Sequence, residues 1–116
     1  MPALFVYGTL KRGGENAGSL AGQRYLGEGG TRPEYRVYRL DGYPGMVAAP
    51  EGGRSIGGEI WEVDAACLAR LDDLEGVSGG LFARQPIALL PPHDGLAVQA
   101  YVYARSVAGR REVDSW

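Results

Sequence analysis

Leu4-Phe5-Val6-Tyr7-Gly8-Thr9-Leu10 opens as a short run of aromatic and branched residues and breaks at a glycine. Length and residue type make Leu4 to Tyr7 a buried strand, which Gly8 ends. Beyond it, Gly8-Thr9-Leu10-Lys11-Arg12-Gly13-Gly14 has the permissive backbone of a loop whose successive N–H groups can curl around an anion, with two cations beside it. The loop therefore reads as a cradle for a small carboxylate-bearing molecule. A strand followed by a glycine turn is ordinary in any globular domain, so this reading needs a chemical partner elsewhere in the chain.

Working outward, Glu15 to Gly22 carries two glycines and is expected to be mostly loop with at most one or two helical turns. Arg24 to Thr31 and Glu34 to Leu40 read as two strands around Arg32-Pro33, expected to form an antiparallel pair. Asp41-Gly42-Tyr43-Pro44-Gly45 gathers turn formers around one aromatic, and Met46 to Ala49 resumes a short strand. Ile56 to Val63 is the next strand, with Gly57-Gly58 marking a bulge or a close approach. Asp64 stands where a helix N-cap belongs, Ala65 to Leu74 is made of good helix formers, and Gly76 is placed as a C-terminal stop. Leu81 to Leu90 and Leu96 to Ala104 are two further strands around the hairpin loop Pro91-Pro92-His93-Asp94-Gly95. Arg105 to Trp116 is polar and reads as a short helix or a frayed tail. The pattern is an α+β domain: one principal helix and many short strands whose sheet is able to curl into a small mixed β-barrel-like form.

The 116 residues allow one domain, 1–116, that must do the whole job. A formal net charge of −2 carries no electrostatic footprint for nucleic acid, so the expected partner is a small molecule, with the chain a monomer or weak homodimer. Cys67 is the only cysteine, which excludes an internal disulfide framework and points to a reducing, cytoplasmic home. No apolar run approaches the roughly 18 residues of a membrane span. Met1-Pro2-Ala3 lacks the basic start of a signal peptide, so the chain reads as cytosolic and complete.

The chemical partner is an acid. On a helix of 3.6 residues per turn, Leu68, Leu71 and Glu75 stack on one face, so a carboxylate shares the apolar stripe, whereas Asp72 and Asp73 point elsewhere and read as solvated. Burial and the negative end of the helix dipole both disfavour the charged form of Glu75 and raise its pKa, as a general base or acid near neutral pH requires. The competing reading is a frayed helix end with Glu75 in water.

Tyr7-Gly8-Thr9-Leu10, Gly42-Tyr43-Pro44-Gly45, Gly58-Glu59-Ile60-Trp61 and Leu71-Asp72-Asp73-Leu74-Glu75-Gly76 resemble, in order and spacing, the γ-glutamylcyclotransferase-like family, from Leu4 to about Tyr103. The resemblance implies a small barrel-like α+β fold and a substrate loop at Tyr7, Gly8, Thr9 and Leu10. It also implies Glu75 as the catalytic proton carrier in a reaction that closes a γ-glutamyl group to 5-oxoproline and frees its amine. Tyr43, Arg84 and Tyr103 complete the expected substrate-binding set. In the strand after the helix the family often carries a tyrosine two residues before an arginine; Phe82-Ala83-Arg84 keeps the ring and the arginine and lacks the hydroxyl.

Such chemistry needs no metal, nucleotide or redox cofactor, and one Cys and one His form no ligand cluster. Gly76-Val77-Ser78-Gly79-Gly80 matches the G-x-S-x-G nucleophile pattern in the wrong order of elements, helix before and strand after. Lys11 and Arg12 either attract an anionic substrate or are simply solvated. Tyr101, with Tyr43 and Tyr103, is either pocket wall or core. His93 is read as a surface residue and Cys67 as a small apolar helix residue. A non-catalytic binding or interaction module on the same fold remains the alternative function.

Overall fold

A computed structural model describes residues 2–114 and 116; Met1 and Ser115, parts of the expected N-terminal start and C-terminal tail, lie outside the described residues. The strands are β1 (Ala3–Val6), β2 (Arg24–Gly30), β3 (Tyr35–Arg39), β4 (Pro44–Ala48), β5 (Gly57–Glu62), β6 (Phe82–Ile87), β7 (Val98–Tyr103) and β8 (Arg111–Val113). Helix α1 spans Ala65–Leu74, and a single 3₁₀ turn occupies Ala17–Leu20.

The sheet is mixed and runs β2-β5-β1-β7-β4-β3-β8, with β6 along the other edge of β7. β7 is the branch point. Its first residues pair in parallel with β1, and farther along Val102 pairs in parallel with Met46 of β4. On the β6 side the sheet curls until Thr31, just past β2, bridges to Leu89, just past β6. Both faces of β1 and β7 are covered: Leu4, Val6, Tyr101 and Tyr103 pack with the helix residues Cys67, Leu68 and Leu71, while Phe5, Val98, Ala100 and Val102 pack with Ile60, Met46 and Leu89. Double burial explains why β1 reads as a continuous apolar run with no polar alternation.

Two expectations are corrected, and a third is decided between its two alternatives. β2 and β3 do not pair: β2 lies against β5 and β3 lies between β4 and β8. Sequence neighbours were split because the 30–32 segment crosses to the end of β6, with Arg32 donating to the carbonyl of Ala88. The polar tail holds a strand, β8, paired with β3 and anchored where Arg36 Nη1 meets both oxygens of Glu112 at 2.8 and 3.0 Å. Gly57-Gly58 is a close approach, since a Cβ on Gly58 would lie 2.4 Å from the carbonyl oxygen of Val6; the bulge sits in β2, between Tyr25 and Gly27.

The helix follows its sequence closely. Asp64 accepts from the Cys67 N–H at 2.7 Å, and Gln23 accepts from the Asp64 N–H at 2.8 Å, so the first turn is capped and tied to the loop before β2. At the other end Gly76 takes φ +64°, its N–H donating to Asp73 and that of Val77 to Asp72. This left-handed stop ends the helix at Glu75, the C-cap residue.

Candidate active site

A cavity of about 410 Å³ opens where the end of β1, the turn before β4 and the end of α1 meet. Its wall includes Tyr7, Gly8, Thr9, Leu10, Tyr43 and Glu75 from the set marked in the sequence, together with Asn16, Leu74, Leu81, Phe82 and Tyr101. Arg84 and Tyr103 are not in the wall. Arg84 is turned to Asp72 in a two-pronged ion pair at 3.0 and 3.1 Å and donates to Gln99 at 2.9 Å. Tyr103 is buried with its ring edge-on to Phe82, centroids 5.4 Å apart.

Tyr7 plugs the fork in the sheet. Its hydroxyl donates to the carbonyl of Tyr101 at 2.6 Å and accepts from the Met46 N–H at 3.0 Å, spanning the gap where β1 and β4 part along β7. Burial, above all, pushes its phenol well above the ordinary value. Both polar functions of that hydroxyl are taken up inside the protein.

The loop after Tyr7 leaves its amides open. Lys11 N–H donates to Gly8, Gly14 to Lys11 and Asn16 to Thr9, closing two tight turns. Among the described residues no group accepts from the N–H of Gly8, Thr9 or Leu10. Gly8 must be glycine for contact reasons: a Cβ there would lie 2.6 Å from Cγ of Pro44, which fits the loop against the start of β4.

The far side of the loop is held by a buried acid. Pairing of Val6 with Glu59 sets that side chain level with the end of β1. The Glu59 carboxylate accepts from the Arg12 N–H at 2.9 Å, from Arg12 Nε at 3.0 Å and from the Trp61 indole at 3.2 Å. Burial works against its charge, but these donors outweigh it and hold the carboxyl below its usual range. Arg12 also lies 3.9 Å over the ring of Tyr25, and Lys11 donates to the Trp116 carbonyl at 3.0 Å. The two loop cations are therefore engaged with the fold, and neither lines the cavity.

Glu75 is half-buried, and burial alone raises its carboxyl from 4.5 to about 7. Its environment is set by the residue one turn earlier. Asp72 is not a solvated charge, as the sequence suggested: besides Arg84 it accepts from the Tyr101 hydroxyl at 2.7 Å, locking the end of α1 onto β6 and β7. Burial and the hydrogen bond to Asp72 push the Tyr101 phenol upward. Helical spacing could not reveal this, because Asp72 points at strands distant in sequence.

Phe82 presents an apolar ring to the cavity, tilted against Tyr43 with centroids 6.3 Å apart. The acids in the wall are Glu75, Glu15 and Asp41, and no lysine or arginine joins them. A bound carboxylate would thus be met by neutral N–H and O–H donors, and an ammonium by carboxylates. Asn16 had no flag in the sequence; the tight turns over Lys11-Arg12-Gly13-Gly14 that bring it opposite Thr9 are the signal that was there to be used.

Comparison with known proteins agrees with this architecture. The family model described as Gamma-glutamyl cyclotransferase, AIG2-like matches residues 4–116. The γ-glutamylcyclotransferase family protein YtfP of Escherichia coli K12 is 35% identical over 112 residues, 97% of this chain and 91% of that protein. A Vibrio cholerae protein provisionally named a γ-glutamylcyclotransferase is 47% identical over 74 residues, 64% of this chain and 62% of its own length. The crystal structure of a mouse AIG2-like protein superposes with a TM-score of 0.81 at 28% identity, covering 100% of this chain and 88% of that one. With the fold, the open-amide loop and a half-buried acid at the helix end already on one cavity, these matches place the chain in the γ-glutamyl cyclotransferase, AIG2-like family.

Proposed function

We propose that this protein cyclises the γ-glutamyl part of a γ-glutamyl amine or peptide to 5-oxoproline and releases the free amine. The observation that carries this reading is Glu75, a carboxyl raised to about 7 in the same cavity wall as the open amides of Gly8, Thr9 and Leu10.

The substrate contains its own nucleophile. Its α-ammonium loses a proton to the Glu75 carboxylate, and the amine nitrogen attacks the γ-carbonyl carbon to form the five-membered ring. The tetrahedral intermediate then collapses: the bond from that carbon to the leaving nitrogen breaks as Glu75 returns its proton to that nitrogen, and the freed carboxylate passes the second proton of the attacking nitrogen to the departing amine, which leaves as an ammonium beside a neutral lactam N–H. One residue serves as base and then acid, a contribution of about 10² to 10⁴ in rate. The loop amides hold the substrate carboxylate and the bent conformer, and orientation of this kind is worth several kcal/mol of barrier. Tyr43 and Phe82 supply an apolar wall for the glutamyl methylenes. A small-molecule substrate in the cytoplasm and a reaction free of added cofactors belong to the same reading.

The test is release of 5-oxoproline from a panel of γ-glutamyl amines and dipeptides. Wild type is expected to turn over at least one member, and Glu75→Gln to lose release with its fold intact. Turnover by Glu75→Gln at the wild-type rate would overturn the mechanism. Binding without product across the panel would make the chain a binding module.

A further inference from the structure

Thr9 is half-buried in the cavity wall, and its side chain has a single partner among the described residues. Asn16 Nδ2 donates to Thr9 Oγ1 at 3.0 Å, while the backbone N–H of Asn16 donates to the Thr9 carbonyl at 2.8 Å. A hydroxyl has one proton to give and two lone pairs to offer. Accepting from the Asn16 amide occupies a lone pair and leaves the Thr9 proton without an acceptor among the described residues.

The polarity of that contact matters because of what else lines the cavity. Its charged residues are all acidic, so a ligand carboxylate there depends on neutral donors. Were the group at position 16 an acceptor, it would draw the Thr9 proton toward itself and turn a lone pair to the ligand. An amide nitrogen does the reverse.

We propose that Asn16 is a positioning residue that fixes the Thr9 hydroxyl as a hydrogen-bond donor to the ligand carboxylate. The inference rests on the cyclotransferase reading for the identity of that ligand. Asn16 itself makes no bond in the reaction; it acts through Thr9.

The decisive comparison is Asn16→Asp against Asn16→Ala. Aspartate keeps the size and shape of asparagine but reverses the hydrogen bond, whereas alanine removes it and leaves the Thr9 hydroxyl free to turn. A purely structural role predicts that alanine is the worse substitution. The proposal predicts the opposite order, with Asn16→Asp raising KM for a γ-glutamyl amine roughly tenfold or more and leaving kcat within about twofold. Thr9→Val should behave like Asn16→Asp, and Thr9→Ser, which keeps the hydroxyl, should hold the ligand more tightly than Thr9→Val. Adding Asn16→Asp to Thr9→Val should cost nothing further, since the proton it diverts is already gone.

A second readout removes the chemistry. 5-Oxoproline keeps the carboxylate, and its Kd, measured by NMR titration on variants whose spectra and Tm show them folded, should weaken in step with KM. Asn16→Asp equal to wild type in both KM and Kd, or losses in the double variant that multiply, would overturn the proposal. Should Asn16→Asp fail to fold, Thr9→Val against Thr9→Ser carries the same test of the donor, and equal Kd values for that pair would overturn it. A wild type that binds 5-oxoproline but turns over no substrate refutes the enzyme reading and leaves the Kd series to decide this inference. A wild type that does neither overturns both.

Discussion

The hydroxyl of Tyr7 donates to the carbonyl of Tyr101 at 2.6 Å across 94 positions of sequence. This bond closes the fork where β1 and β4 diverge along β7, directly behind the open-amide loop. Tyr101 then passes the connection on through its own hydroxyl to Asp72, one helical turn before Glu75. The cradle and the acid are thus tied to a single strand from its two sides.

Tyr7→Phe should cost about 1 to 3 kcal/mol, because it strands the Met46 N–H and the Tyr101 carbonyl around a fully buried Met46. Chemical denaturation of variant and wild type measures it. A loss of activity without that loss of stability would mean that the hydroxyl works on substrate instead.

Asp72→Ala releases the Arg84 guanidinium and the Tyr101 hydroxyl together and loosens the end of α1. With both ion-pair partners about a quarter exposed, the expected cost is about 1 to 3 kcal/mol. The kcat for 5-oxoproline release should fall as well, since the helix end carries Glu75. Unfolding curves and steady-state kinetics on the same samples separate the two effects.

Glu75 makes two pH predictions of opposite sense. As the proposed base it must be ionised, so kcat/KM should climb through pH about 7 and level off above it. For stability, a carboxyl raised from 4.5 to about 7 binds its proton more tightly in the folded chain. Its contribution is fully present below pH 4.5 and is lost as pH rises through 7. Glu75→Gln has no charge to bury, so at pH 8 this variant should be more stable than wild type by on the order of 1 to 3 kcal/mol. That difference should vanish at pH 4. Denaturation midpoints at the two pH values decide it.

Phe82→Tyr supplies the hydroxyl that the family resemblance leads one to expect at this position, on a ring already in the cavity wall. The fold should tolerate it within about 1 kcal/mol, and KM for γ-glutamyl substrates should drop by roughly two- to tenfold, the worth of one added hydrogen bond. Kinetics over the panel would show whether the change also narrows the choice of amine.

Local chemistry was legible in the sequence. Asp64 as cap, Gly76 as left-handed stop and the stripe of Leu68, Leu71 and Glu75 place the helix and its acid through interactions within a few residues, and such interactions are written in spacing. The strand at Leu4 to Tyr7 and the glycine loop after it were equally plain, because double burial and a close contact with Pro44 leave direct marks on residue type. Only the tertiary structure decided which strands pair, that the polar tail adds β8, and that Asp72 is locked to Arg84 and Tyr101. Each of these depends on directional bonds between groups distant in the chain. Periodicity reports which face of an element is buried, and it carries no address for the partner on the other side.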